Sequence, residues 1–465
     1  MSSPVTTEPL SDETPPPRPS TWAALRPLLL RLHFYAGVLV APFLLVAAVT
    51  GLLYAASFEL EKIIHRHELS VPASDTTVPL SQQVAAAQAT RPGEPVVLVR
   101  PAAEPGATTQ VLFDTPDGDS STRLAVFVNP HTAEVRGTLE SYGSSGALPV
   151  RTWISVLHRH LHLGEVGRIY SELAASWLWV VAAGGVVLWL SRRRAKRKVR
   201  ALLLPERGVA GRRRVLSWHG SVGVWAVLGL LFLSATGLTW SKYAGDHFDQ
   251  VRQALGWTTP SLAVAGGHSD HGGGGGDHAA HGGPADVAVF DRVTETARSG
   301  GLSGPLEIGA PREHGSPYLV KEIDKVWPTR MDQMAVAENG TVAGTLRFDD
   351  FPLIAKLSTW GINTHMGVMF GLVNQILLGV LAIGLVVLIV LGYRMWWQRR
   401  PTRERGWSFG RPYPRGGWRA VPWPALGVLV VVTAGVGYAL PLLGVSLVAF
   451  LALDVILGRV RRKDT

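Results

Sequence analysis

The chain has 465 residues, 47% of them hydrophobic, a formal net charge of +10 and no cysteine. Without cysteine there are no disulfides, thiolate metal ligands, iron–sulfur clusters or covalently attached c-type haem, so metal or redox chemistry falls to His, carboxylates, Tyr or Met. Mean hydropathy is +0.18, and the apolar residues are gathered into runs, which argues against a soluble multidomain chain.

Residues 1–24 open with MSSPVTTEPLSDETPPPRPS, a Pro- and Thr-rich stretch that reads as a disordered tail. It has no basic n-region, so no cleaved signal peptide is expected and the first span stays as an anchor. Four apolar runs are long enough for the roughly 30 Å of a bilayer core. They are Leu32–Ser57, Leu173–Leu190, Ser217–Trp240 and Met369–Tyr393. With their flanks they occupy residues 25–57, 151–191, 215–240 and 358–396. A fifth region, within 423–458, has Pro441 near its middle and reads as a hairpin of two short spans. The fold expected is an α-helical polytopic membrane protein.

Charge supplies an orientation. The 192–214 loop holds eleven Lys or Arg and a single acid, Glu206; further basic residues lie before the first span, in the 397–422 loop and at the C-terminus. All face one side if each run crosses once and the hairpin twice. The positive-inside rule makes that side the cytoplasm, with both termini there, so the basic runs need no nucleic-acid partner. Residues 58–150 and 241–357 then lie outside. VPLSQQVAAAQAT (78–90) has helical spacing, while PVVLVR, TQVLFDT and RLAVFVNPHTAEVRGTLES alternate as strands do. DVAVFDRVTETARSGG, PYLVKEIDK and QMAVAENGTVAGTLRF repeat that order, so each outer region reads as mixed α/β.

The chain also repeats itself. Trp153 to Trp360 and His158 to His365 are both 207 residues (360 − 153 and 365 − 158), and the same offset carries Gly164 to Gly371 and Gly185 to Gly392. A second offset of 186 carries His33 to His219 and Thr50-Gly51-Leu52 to Thr236-Gly237-Leu238. The 21-residue difference (207 − 186) fits one low-complexity block, AVAGGHSDHGGGGGDHAAHGGPA, residues 263–285. Two tandem copies of helix, outer domain and helix follow, related by an axis along the membrane normal, with the hairpin appended.

Repeat symmetry gives four histidines a meaning. His33 would oppose His219 near one face of the bundle and His158 would oppose His365 near the other. Two facing imidazoles can supply both axial ligands of a haem iron, and a proton or metal-ion path is the competing use. His162 shares a helical face with His158 and is an alternate ligand. His268, His271, His278 and His281, with Asp270 and Asp277, read as a metal-capture tract that selects weakly among Zn, Cu, Ni and Fe.

RLHFYAGVLVAPFLLVAAVTGLLY, TWISVLHRHLHLGEVGR, LSWHGSVGVWAVLGLLFLSATGL and THMGVMFGLVNQILLGVLAIGLVVLIVLGYRMWW resemble the helical signatures of the PepSY-associated transmembrane proteins. The outer regions resemble PepSY domains. The resemblance, over about residues 25–400, implies a bacterial cytoplasmic-membrane reductase of ferric siderophores with two b-type haems, one on His33 and His219, the other on His158 and His365. It implies a ferric-siderophore complex as outer partner and a quinol or cytoplasmic reductase as donor; the His-rich tract, a departure from the family pattern, adds cupric complexes. A transporter of metal or siderophore and a regulator of an envelope peptidase are the alternatives. No Gly-rich nucleotide fingerprint follows a strand, so NAD(P)H or flavin binding is not expected.

Overall fold

The computed structural model describes residues 20–115, 121–193, 199–262, 286–313, 315–399 and 417–463. In chain order, α1 (Thr21–Leu39), α2 (Ala41–Ile64) and the short α3 (Arg66–Leu69) lead to α4 (Leu80–Thr90) and strands β1 (Val96–Arg100), β2 (Thr109–Asp114), β3 (Thr122–Val128) and β4 (Val135–Tyr142). Then come α5 (Pro149–His160), α6 (Gly164–Arg193), α7 (Val199–Leu203), α8 (Gly211–Leu238), α9 (Tyr243–Ala254) and α10 (Ala288–Ser299). Strands β5 (Leu306–Gly309), β6 (Tyr318–Glu322), β7 (Gln333–Val336) and β8 (Val342–Leu346) follow. Helices α11 (Leu353–His365), α12 (Gly371–Trp397), α13 (Trp423–Ala439) and α14 (Pro441–Lys463) complete the described chain.

The protein is mostly helical, with a sheet-rich domain. Among the described residues, α2, α6, α8 and α12 are long and apolar enough to cross a membrane. They leave large apolar side chains uncovered, such as Leu228 at 80% and Val373 at 63% exposure, as a lipid-facing helix requires. Inside, Leu44 and Ala48 meet Ala174, Trp177 and Leu178, Leu230, and Leu385 and Ile389 in a common core.

The first apolar run, expected as one helix over Leu32–Ser57, is divided at Val40. Pro42 has no N–H to give the carbonyl of Val38, four residues earlier. The hydroxyl of Tyr393 donates to that carbonyl instead, at 2.9 Å. The candidate span is therefore Ala41–Ile64, and His33 lies on the preceding helix.

The strands of residues 58–150 and 241–357 form one antiparallel sheet, ordered β4-β3-β2-β1-β5-β6-β7-β8. The two four-stranded meanders meet where Leu98 pairs Gly309 and Val99 pairs Ile308. Both outermost hairpins carry an irregularity, between Phe127 and Val128 and between Ala335 and Val336. On one face, α4 and α10 bring Val84, Ala87, Phe290, Val293 and Ala297 onto Val99, Val111, Phe113, Ile308 and Val320. Each of the Val, Ile and Phe side chains stabilises the domain by about 1.5–3 kcal/mol through burial.

The C-terminal region folds as two helices meeting at Leu440, with Pro441 in the first turn of the second. They approach closely at Gly437 and Gly444; a Cβ on Gly444 would lie 2.7 Å from the carbonyl oxygen of Gly437. Asp454 pairs with Arg31 of α1, and Trp177 Nε1 donates to Ser446 Oγ at 2.8 Å.

Candidate functional site

His33 on α1 and His219 on α8 face each other with ring centroids 6.4 Å apart and planes at 75°. Each uses Nδ1 on a main-chain carbonyl of a neighbouring helix: His33 on Val181 of α6 at 3.0 Å, His219 on Leu388 of α12 at 3.1 Å. A carbonyl can only accept, so both rings carry their proton on Nδ1 and present Nε2 as a bare lone pair. The two acceptors are 207 residues apart (388 − 181), like the helices that carry them. Glycine makes room for both rings. A Cβ on Gly185 would stand 3.0 Å from His33 Cε1, and one on Gly392 3.9 Å from His219 Cε1.

The second pair is built differently. His158, in the last turn of α5, lies with Nδ1 2.9 Å from Thr50 Oγ1; His365, the last residue of α11, lies 2.6 Å from Thr236 Oγ1. Each threonine hydroxyl donates back to the carbonyl four residues earlier, Val46 and Phe232, both at 2.8 Å. With its proton so directed, each oxygen keeps a lone pair with which it can accept from an Nδ1–H. The rings sit against Gly51 and Gly237, whose Cβ atoms would come within 3.2 and 3.5 Å of Cε1. Tyr54 stacks on His158 at 6.4 Å, and Trp240 meets His365 edge-on at 5.8 Å. Thr, Gly and aromatic all recur at the 186 offset (236 − 50, 237 − 51, 240 − 54).

Local backbone sets these positions. Gly164 and Gly371 take the left-handed conformation, φ 56° and 55°, where each short histidine-bearing helix turns into a long one. On α8, Thr236 lies 17 residues after His219 (236 − 219), about 26 Å at 1.5 Å per residue. The two levels thus span most of a bilayer core. Among the described residues, ring contact joins His33 to His219, whereas His158 and His365 each contact their own Thr, Gly and aromatic neighbours.

His162 turns elsewhere. Its Nε2 meets the Trp153 carbonyl at 3.1 Å, and its ring lies 4.9 Å from the Trp153 ring. His268, His271, His278 and His281 fall outside the described residues. Among the described residues no group of three or more His, Cys, Asp or Glu is placed to hold a metal ion.

The residues present fit a haem better than a bare ion. A metal–imidazole bond of about 2 Å on each side puts two ring centroids about 6 Å apart, the separation of His33 and His219. Two imidazoles whose Nδ1 protons are committed to carbonyls, as at His33 and His219, would suit the two axial positions of a haem. Gly37, four residues after His33, borders open space, since a Cβ there would meet no atom within 4 Å. In the sequence the Thr-Gly doublets stand out only by their recurrence at the 186 offset, which is the signal that points to them. The carbonyls of Val181 and Leu388 leave no such trace, because every residue has one.

The family model of the PepSY-associated TM region matches residues 30–399. The chain belongs to that family. The matched stretch of this PepSY-associated protein includes both histidine pairs and both threonines, and stops before the C-terminal hairpin. No curated protein matches the chain.

Proposed function

We propose that this protein is a dihaem b oxidoreductase of the bacterial cytoplasmic membrane that reduces a ferric-siderophore or cupric complex on the outer face. The observation that carries the reading is the setting of the four imidazoles at two depths: each has Nδ1 within hydrogen-bond distance of a neighbouring helix, a carbonyl for His33 and His219 and a threonine hydroxyl for His158 and His365, which leaves Nε2 to face a ligand. His33 and His219 would hold one haem, His158 and His365 the other. When bound, the haems supply one-electron carriers that divide the membrane into shorter distances. The two copies of helix, PepSY-like region and helix explain why equivalent residues recur at both levels. Basic side chains at the helix ends away from the sheet, Arg212 to Arg214 and Arg394, support a cytoplasmic location for those ends and for both termini. The sheet domain then faces outward, where a chelate arrives. Reduction releases the metal because hard oxygen chelators hold Fe(II) more weakly than Fe(III). The donor is a quinol or a cytoplasmic reductase.

Absorption spectroscopy of the purified protein tests this. Soret and α bands that sharpen on dithionite, with two haems per chain, are expected; a colourless protein that still moves metal in proteoliposomes would replace the reading with a transporter. The tract of His268, His271, His278 and His281 serves metal capture in the same reading. Deleting 263–285 should weaken binding of Cu(II) or Fe(III) and leave haem content unchanged.

A further inference from the structure

The two levels differ in what receives the Nδ1 proton, and that difference assigns work to two threonines. We propose that Thr50 and Thr236 are positioning residues: they hold His158 and His365 as the Nδ1–H tautomer, aim each bare Nε2, and leave this pair less electron-rich than His33 and His219. The inference rests on the reading of the four histidines as ligands.

Counting hydrogen bonds fixes the tautomer. With the proton on Nδ1, each hydroxyl both donates to its helix carbonyl (Val46 or Phe232) and accepts from the ring, so two bonds form. With the proton on Nε2, the single hydroxyl proton has to serve either the carbonyl or Nδ1, and one bond is lost. Losing a buried partner of this kind is costly, and Thr50 is 6% exposed. The geometry is also exclusive: among the described residues, the threonine oxygen is the hydrogen-bond partner of each ring.

The acceptor sets the donor strength of the opposite nitrogen. Pulling harder on Nδ1–H makes Nε2 a more basic ligand, which favours the oxidised metal. An amide carbonyl is a stronger acceptor than an alcohol oxygen. The Val181 and Leu388 carbonyls therefore leave His33 and His219 more electron-rich than the hydroxyls leave His158 and His365. A metal between the hydroxyl-held pair is then easier to reduce, which favours electron movement toward the sheet domain.

The test uses Thr50→Val and Thr236→Val, which keep the branched shape and remove the acceptor, with Thr50→Ser and Thr236→Ser restoring it. On the full chain prepared haem-free and labelled with 15N-histidine, His158 and His365 should show protonated Nδ1. The Val variants should shift toward protonated Nε2, and the Ser variants should return to the wild-type signal. On the haem-loaded chain, each Val variant should weaken haem retention by about tenfold or more. It should also raise one midpoint potential by about 59 mV, a tenfold change in the reduced-to-oxidised ratio, and leave the other potential unmoved. Unchanged tautomers and unchanged potentials in the Val variants overturn the proposal, as does a wild-type protein whose higher potential disappears with His33→Ala rather than His158→Ala. A wild-type chain that takes up no haem would defeat the functional reading alone, and the nitrogen signals would still decide the tautomer.

Discussion

The two levels of histidines solve one problem with different materials. At His33 and His219 the proton acceptors are main-chain carbonyls of α6 and α12, so the ring orientation is written into helix packing. At His158 and His365 the acceptors are side-chain hydroxyls on α2 and α8, and the histidines stand on short helices of their own. The first arrangement is insensitive to any single acceptor substitution. The second can be tuned residue by residue, and it depends on the short helices staying where they are.

Four experiments would break or sharpen that contrast. The largest effect belongs to the ligands: His219→Ala and His365→Ala should each reduce haem content from two to one, with different spectra remaining. Equal loss of both haems in either variant would contradict independent levels. Next is Arg151→Ala. Arg151 of α5 lies against Glu61 of α2 at 3.1 Å, both side chains buried, and Glu61 also accepts from the Leu148 N–H at the start of α5. Breaking that pair should cost about 3–5 kcal/mol, measured as lost thermal stability. It should disturb the signals of His158 while sparing those of His33. Ser358 and His247 stand at the corresponding offsets of 207 and 186 (358 − 151 and 247 − 61), two residue types that cannot form the same ion pair.

A smaller effect separates two glycines. Gly185→Ala would press a methyl to 3.0 Å from His33 Cε1, whereas Gly392→Ala leaves 3.9 Å to His219. Haem retention should fall by about tenfold for the first and stay unchanged for the second, read by titration of the haem-free chain. The smallest belongs to Tyr393→Phe. Removing the hydroxyl that satisfies the Val38 carbonyl should lower stability by about 1 kcal/mol without altering either haem signal.

How much of this was legible beforehand follows from where the information lies. The spans could be read because about 20 consecutive apolar residues leave few alternatives. The recurrence of the histidines could be read because two offsets repeat across the chain, and the ring contact of His33 with His219 is what the 186 offset anticipates. The division at Val40 was missed although Pro42 is visible, since the apolar run continues past it and hydropathy carries no record of backbone hydrogen bonds. Joining of the two strand sets was also missed. Leu98 and Gly309 pair through main-chain groups 211 residues apart (309 − 98), and alternation in each strand is the same whether its edge is covered or open. The threonines were visible but not interpretable until their hydroxyls had neighbours.

The seam between β1 and β5 has a consequence for how such a molecule can be divided. Severed in the basic loop, either fragment would keep its own meander yet be left with a naked strand, a row of unanswered amide and carbonyl groups of the kind that recruits another chain. A lone fragment is therefore predisposed to find a twin and rebuild the ribbon across it. The continuous sheet acts as a molecular selvedge, finishing two cloths that would each fray alone.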